Sequence, residues 1–239
     1  MITDYWVIVP AAGIGKRMGA DRPKQYLPLL GQPLLSLTLR NILSWPGLAG
    51  IVVALSGDDQ LFQHLREAEH PFVHTVTGGA ERSDSVLAAL EFLSERELAD
   101  TPVLVHDAAR PCVTLDDISA LLDESVSPMA LLARPASDTV KRGHESSGVP
   151  CVEQTLDRTQ IWLAQTPQRA PLGVLYSCLN RALEQGEAVT DEASALETFG
   201  HSPQLVEGQG DNIKVTHPSD IMVAEAILRL RYAPTEDKR

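Results

Sequence analysis

Residues 10–24 read PAAGIGKRMGADRPK and follow the apolar run Trp6-Val7-Ile8-Val9. Three glycines (Gly13, Gly15, Gly19) and four cations (Lys16, Arg17, Arg22, Lys24) fall within this loop. A buried strand that runs into a glycine-rich turn lets backbone N–H groups approach an anion closely. The added cations mark the anion as highly charged, and a triphosphate fits best. Two common phosphate loops do not fit. The dinucleotide fingerprint needs G-x-G-x-x-G, but the gap from Gly15 to Gly19 is one residue too long. The region about 20 positions on reads Gly31-Gln32-Pro33, with no acidic partner for a ribose. The P-loop needs G-x-x-x-x-G-K-[ST], yet Arg17 follows Gly15-Lys16 and Pro10 stands in the first glycine's place.

The rest of the chain makes this loop a local exception. It has 239 residues and a formal net charge of -12, from 32 acidic and 20 basic side chains. That balance argues against general nucleic-acid binding and against an anionic membrane surface. A hydrophobic fraction of 44% is ample for a core, and no apolar stretch reaches the length of a membrane span. The opening MITDYWVIVP lacks the basic start of a secretory signal. Cys112, Cys151 and Cys178 are odd in number and far apart, so they suit small apolar packing positions in a reducing cytoplasm rather than a disulfide or metal framework. The seven histidines include no H-E-x-x-H or close pair, so no zinc site is expected.

Working outward, apolar runs alternate with helical patterns. Strands are expected at 5–10, 50–56, 72–77, 102–106 and 129–134, and helices at 33–45, 58–68, 82–96 and 114–125. Val86, Leu90 and Leu93 recur at helical spacing and give the third helix an apolar stripe. Such alternation implies an α/β fold: a Rossmann-like, mostly parallel twisted sheet with helices on both faces. Ligands of such sheets bind at the carboxyl ends of the strands. The pattern breaks at residues 137–158, where two short β-prone pieces flank a Gly/Ser/Pro-containing turn. This segment reads as a protruding hairpin arm within a single domain spanning 1–239. An arm has little core of its own, and packing on a partner subunit would stabilise it. Helices at 171–185 and 190–199, short strands near 204–207 and 213–216, a last helix at 218–231 and a disordered tail from 234 complete the expectation. Thr190-Asp191-Glu192 supplies a good helix opening.

Four further segments carry chemistry-bearing residues. Val105-His106-Asp107-Ala108-Ala109-Arg110-Pro111 puts Asp107 at a strand end, where a carboxylate can ligand Mg²⁺ on a nucleotide phosphate or hold a hydroxyl. Read alone, Asp107 with Arg110 fits a structural Asp–Arg turn equally well. Gly78 to Ser85 offers a double glycine for the approach of a flat base, with Ser83 or Ser85 beside it, although helix capping explains much of that stretch. Lys214 sits in Gly210-Asp211-Asn212-Ile213-Lys214-Val215-Thr216, facing away from Ile213 and Val215 if the segment is a strand. Arg158 lies at the base of the arm, and Thr166-Pro167 ends a strand. Periodicity alone makes none of these last three catalytic.

The segments PAAGIGKRM with PKQYL, GGAERSDSV, VHDAARPC, LAQTPQ, TDEASALE and GDNIKVT occur in an order that resembles the 2-C-methyl-D-erythritol 4-phosphate cytidylyltransferase family of nucleotidyltransferases. They span residues 8–216. The resemblance implies transfer of CMP from CTP to methylerythritol phosphate with release of pyrophosphate, a homodimer built through the arm, and a divalent metal, usually Mg²⁺. Arg17 and Lys24 match the residues that stabilise the pentavalent α-phosphate. Arg158 from the partner subunit and Lys214 match those that position the acceptor phosphate. Asp107 matches an acidic residue near the metal and the acceptor hydroxyls, with Arg110, Thr139 and Thr166 as further acceptor contacts. Ala11, Ala12, Gly13, Gly15, Lys16, Gly79, Ser85 and Asp107 fall on CTP-binding positions. Ala80 departs from the family, which carries an acidic residue there, and Lys16 replaces a frequent Arg. The nearest rivals are a cytidylyltransferase for another polyol phosphate, such as ribitol 5-phosphate, and a non-catalytic nucleotide-binding module.

Overall fold

In a computed structural model that describes residues 4–13, 22–123, 125–146 and 148–232, the first apolar run is a fully covered strand. This strand, β1 (Tyr5–Pro10), alternates its side chains between two separate cores. Tyr5, Val7 and Val9 join one cluster, and Trp6 and Ile8 join the other. A strand covered on both faces reads as a continuous apolar run, and for that reason no alternation is visible in its sequence.

A two-stranded ribbon of β2 (Pro28–Leu29) and β3 (Gln32–Pro33) leads into α1 (Leu34–Ile42). Next come β4 (Leu48–Leu55), β5 (Val73–Thr77), α2 (Arg82–Ser94), β6 (Pro102–Val105), α3 (Leu115–Leu121) and β7 (Ala130–Pro135). The arm is β8 (Lys141–Ser146) paired antiparallel with β9 (Val149–Thr155) as its own two-stranded sheet. The chain returns through β10 (Trp162–Pro171), α4 (Leu172–Glu184), α5 (Glu192–Thr198), β11 (Gln204–Glu207) and α6 (Pro218–Tyr232).

The main sheet has seven strands in the order β11-β7-β10-β6-β1-β4-β5. All neighbours run parallel except β10, which is antiparallel to both β6 and β7. One face is covered by Leu35, Leu39 and Ile42 of α1 with Ile118 and Leu121 of α3. The other is covered by Val86, Leu90 and Leu93 of α2 with Leu175 and Leu179 of α4 and Leu196 of α5. A third cluster packs Ala224 and Leu228 of α6 against Leu29, Leu34, Cys112 and Val215. The expected mostly parallel sheet with helices on both faces and a separate hairpin is the fold observed.

Three local expectations are corrected. Residues 58–68 form no α-helix; they give 3-10 turns at Phe62–His64 and Arg66–Glu69, with extended Leu65 between them. The Asp59 carboxylate accepts from the Leu61 and Phe62 amides, a local bond that competes with helix formation. Glu67 is drawn inward instead to accept from the Ser36 hydroxyl at 2.7 Å. Residues 213–216 are irregular, because their backbone bonds to the site: the Val215 amide donates to Ala109 O at 2.8 Å. The strand expected to end at Thr166-Pro167 does not stop there: β10 continues to Pro171, because residues 168–171 pair antiparallel with β6. The tail from 233 on lies outside the described residues.

Candidate active site

The carboxyl ends of β1, β5 and β6 reach one edge of the sheet, and the loops that leave them enclose a hollow of about 270 Å³. Ala11, Ala12 and Gly13 form its wall after β1, Gly79 and Ser85 its wall around the start of α2, and Lys24, Asp107 and Lys214 its charged side. A second hollow, of about 200 Å³, adjoins it and is lined by Arg110, Gln165, Thr166, Gln168, Thr190 and Asp191. Arg82, Asp107 and Lys214 line both and form the seam between them.

Local sequence builds each wall. A Cβ on Gly78 would lie 2.7 Å from Ala12 Cβ and 2.7 Å from Ser85 Oγ, so only glycine lets the β5 loop approach the β1 loop this closely. The Gly79 amide donates to Ser85 Oγ at 3.2 Å, and Ser85 Oγ–H donates to Glu81 O at 3.1 Å. Opposite, β10 carries a bulge: Ala164 pairs with Ala133 and Gln168 with Leu131, so Gln165-Thr166-Pro167 face the single residue Leu132. Bulges of this kind re-aim side chains beside functional sites. Here the bulge turns Thr166 toward the loop after β6.

Asp107 is the centre of the seam and 7% exposed. Its Oδ1 meets Arg82 Nε at 3.2 Å, and its Oδ2 meets Lys214 Nζ at 2.8 Å and Arg110 Nε at 3.4 Å. Burial opposes its ionised form, but the charges of Arg82, Lys214 and Arg110 prevail and hold the carboxyl well below the usual carboxylate range. Arg82 also grips Glu192 bidentately, at 2.6 and 3.1 Å. Three cations therefore face two carboxylates, and Lys24 adds a further positive charge nearby. Glu81 and Asp191 also line the hollows, so the feature that suits a phosphate is the gathering of four cations at one edge of a strongly acidic chain.

A proton chain stiffens the loop behind Asp107. The Asp107 amide donates to Thr166 Oγ1 at 3.0 Å, and Thr166 Oγ1 lies 3.0 Å from His106 Nδ1. His106 Nε2 lies 3.0 Å from the carbonyl oxygen of Arg110. A carbonyl only accepts, so Nε2 carries the proton, Nδ1 is the acceptor and the Thr166 hydroxyl donates to it. Burial pulls the His106 pKa down to about 4, consistent with a neutral ring. Asn212 Nδ2 donates to Thr166 O at 2.9 Å, and Arg110 Nη1 donates to Asn212 O at 2.6 Å, which ties the 210–216 segment to the same loop.

The expected site residues thus divide into three groups. Ala11, Ala12, Gly13, Lys24, Gly79, Ser85, Asp107, Arg110, Thr166 and Lys214 come together at the two hollows. Thr139 and Arg158 do not: both are exposed at the base of the arm, where Arg158 donates to the Ser137 carbonyl. Gly15, Lys16 and Arg17 lie outside the described residues. Sequence reasoning missed Arg82 and Glu192. Their charges were visible, but the 110-position separation left nothing to pair them. As a metal ligand Asp107 fits poorly, because both of its oxygens already face cations. Among the described residues no cluster of three His, Cys, Asp or Glu side chains could cage an ion. We derive no step through a protein-held metal.

A mixed α/β sheet whose carboxyl edge holds two joined hollows with a cationic seam defines a nucleotidyltransferase-type enzyme, built to bring two phosphorylated compounds together. A sequence profile of the 2-C-methyl-D-erythritol 4-phosphate cytidylyltransferase family matches residues 5–230. The enzyme of that name from Vibrio atlanticus is 48% identical over 223 residues, covering 92% of this chain and 94% of its own. Its namesake from Pseudomonas putida is 50% identical over 220 residues, covering 91% and 92%. The crystal structure of the Francisella tularensis enzyme superposes with a TM-score of 0.80 at 38% identity, covering 94% of this chain and 100% of its own. The chain belongs to the 2-C-methyl-D-erythritol 4-phosphate cytidylyltransferase family.

Proposed function

We propose that the first hollow holds CTP, the second holds 2-C-methyl-D-erythritol 4-phosphate, and the chain joins them to give 4-diphosphocytidyl-2-C-methyl-D-erythritol and pyrophosphate, a step of non-mevalonate isoprenoid precursor synthesis. The observation that carries this reading is the seam of Arg82, Asp107 and Lys214, common to both hollows. A phosphate oxygen of the acceptor attacks the α-phosphorus of CTP, and the bond to the bridging oxygen of the leaving pyrophosphate breaks. The nucleophile is already ionised and needs no general base. His106, with both ring nitrogens engaged, is not a candidate for one. Catalysis is then positioning and charge stabilisation.

In this reading Lys24, with Arg17, meets charge developing on the α-phosphate. Lys214 and Arg110 sit on the acceptor side, and Gly79 and Ser85 flank the base. A divalent cation, Mg²⁺, enters on the phosphates of CTP as part of the nucleotide substrate. The arm supports a homodimer: every described residue of β8 and β9 is exposed, and Val149 and Val152 are 57% and 62% exposed. A two-stranded hairpin is marginal alone, and a second copy would cover it and bring Arg158 and Thr139 to the acceptor hollow of its neighbour. Among the described residues no helix is long and apolar enough to cross a membrane. A cytoplasmic location remains part of the proposal.

The test is pyrophosphate release from CTP with each acceptor in turn. Turnover with methylerythritol phosphate and little with ribitol 5-phosphate is expected. Preference for ribitol phosphate would overturn the acceptor assignment, and CTP binding without release under either acceptor would overturn the transferase reading.

A further inference from the structure

We propose that Arg82, anchored by Glu192, is a positioning residue for the acceptor phosphate: it fixes the Asp107 carboxylate and thereby sets how tightly that carboxylate holds Lys214. The inference rests on the reading that Lys214 receives the acceptor's phosphate.

Arg82 opens α2, directly after the loop that walls the nucleotide hollow, and Glu192 opens α5, directly after the residues that wall the acceptor hollow. Glu192 is 3% exposed, and both of its oxygens accept from the two terminal nitrogens of Arg82. The remaining nitrogen, Nε, points at Asp107 Oδ1. All three guanidinium nitrogens are thus aimed at carboxylates, in a planar fork that a lysine ammonium cannot reproduce. The Arg82 bridge joins the walls of the two hollows and holds Asp107 from the side opposite Lys214.

Asp107 divides one negative charge among three cations. Lys214 is the most accessible of them, its side chain 39% exposed against 28% for Arg82 and 10% for Arg110. It is therefore the cation that an incoming anion can draw away. Without the Arg82 Nε contact, Asp107 pulls harder on Lys214. That weakens capture of the acceptor phosphate and leaves Lys24 untouched. The competing explanation is that Arg82 only neutralises the buried Glu192, in which case removing both charges together is harmless.

Steady-state kinetics with both substrates separate these cases, using wild type, Arg82→Lys, Lys214→Ala, Arg82→Leu/Glu192→Leu, and Arg82→Lys combined with Lys214→Ala. The expected result is an acceptor KM raised about tenfold in Arg82→Lys and in the leucine pair, with the CTP KM within about twofold of wild type. In the Lys214→Ala background, Arg82→Lys should add less than about twofold, because the effect runs through Lys214. A folded leucine pair with the wild-type acceptor KM would overturn the inference. So would equal rises in both KM values, or an undiminished tenfold effect in the Lys214→Ala background. If the leucine pair does not fold, Arg82→Lys with an unchanged melting temperature decides the matter alone. Absence of wild-type turnover with methylerythritol phosphate would sink the acceptor reading itself, and this inference with it.

Discussion

Lys24 Nζ donates a hydrogen bond to the carbonyl oxygen of Val215 at 3.1 Å, joining residues 191 positions apart. The bond ties the end of the glycine-rich loop to the segment that carries Lys214. A cation assigned to the nucleotide and one assigned to the acceptor are thereby held on one short piece of backbone.

Replacing Lys24 with alanine should lower kcat by on the order of 10²–10³ while the fold survives, because the charge at the α-phosphate is lost. Its side chain is only partly buried, so the melting temperature should move little. Pyrophosphate release measured beside a thermal melt checks this. Undiminished turnover would remove Lys24 from the mechanism.

Thr166→Val should destabilise the protein by about 2–3 kcal/mol, since it strands the buried Asp107 amide and the acceptor lone pair of His106. Urea unfolding measures the loss. A variant as stable as wild type would show that the proton chain through Thr166 contributes nothing.

Stability should fall as the pH drops from 6.5 toward 4. His106 has an ordinary pKa of 6.5, lowered by burial to about 4 in the folded protein. Across that window the unfolded chain binds a proton that the folded one refuses, so acid favours unfolding, by on the order of 3 kcal/mol in total. Below it, Asp107 works in the same direction, because its folded pKa is also depressed. Unfolding free energies at pH 7, 5.5 and 4 test the slope, which should be shallower in His106→Gln. An identical slope in that variant would assign the effect elsewhere.

Gly78→Ala should raise the KM for CTP and cost about 1–3 kcal/mol of stability, because the new methyl group meets Ala12 and Ser85 at 2.7 Å. Calorimetric titration with CTP gives the affinity. Unaltered binding would mean that the two loops separate without consequence.

Arg158→Ala and Lys214→Ala should each mainly raise the acceptor KM and so turn over little at an acceptor concentration near the wild-type KM, yet mixing them in equal amounts should recover roughly a quarter of wild-type activity at that concentration. If arms act across a two-fold axis, half of the randomly mixed dimers are mixed, and each of those has one intact site of two. No recovery after subunit exchange would place Arg158 outside the neighbour's site.

Much of this was legible in the chain itself. The glycine-rich loop after a covered strand, the alternation of runs and the break at 137 pointed to the sheet, its binding edge and the arm. These are local signals: an apolar run is apolar wherever it goes, and Asp191 caps α5 through its own Ser194 amide at 2.9 Å. Where local signals misled, a distant partner was responsible. Glu67 left a helical pattern to meet Ser36, and residues 213–216 spent their backbone on Ala109 and Lys24 rather than on a ladder.

What the sequence alone determined was the kind of chemistry: cations and glycines gathered on loops of an otherwise acidic chain, at strand ends that a parallel sheet must bring to one edge. Only the tertiary structure decided which charges meet. Arg82 finds Glu192 across 110 positions, and Lys214 finds Asp107 across an irregular segment that no periodicity marks. Pairing between remote charges depends on how helices and loops pack, and no spacing along a chain encodes a distance through space.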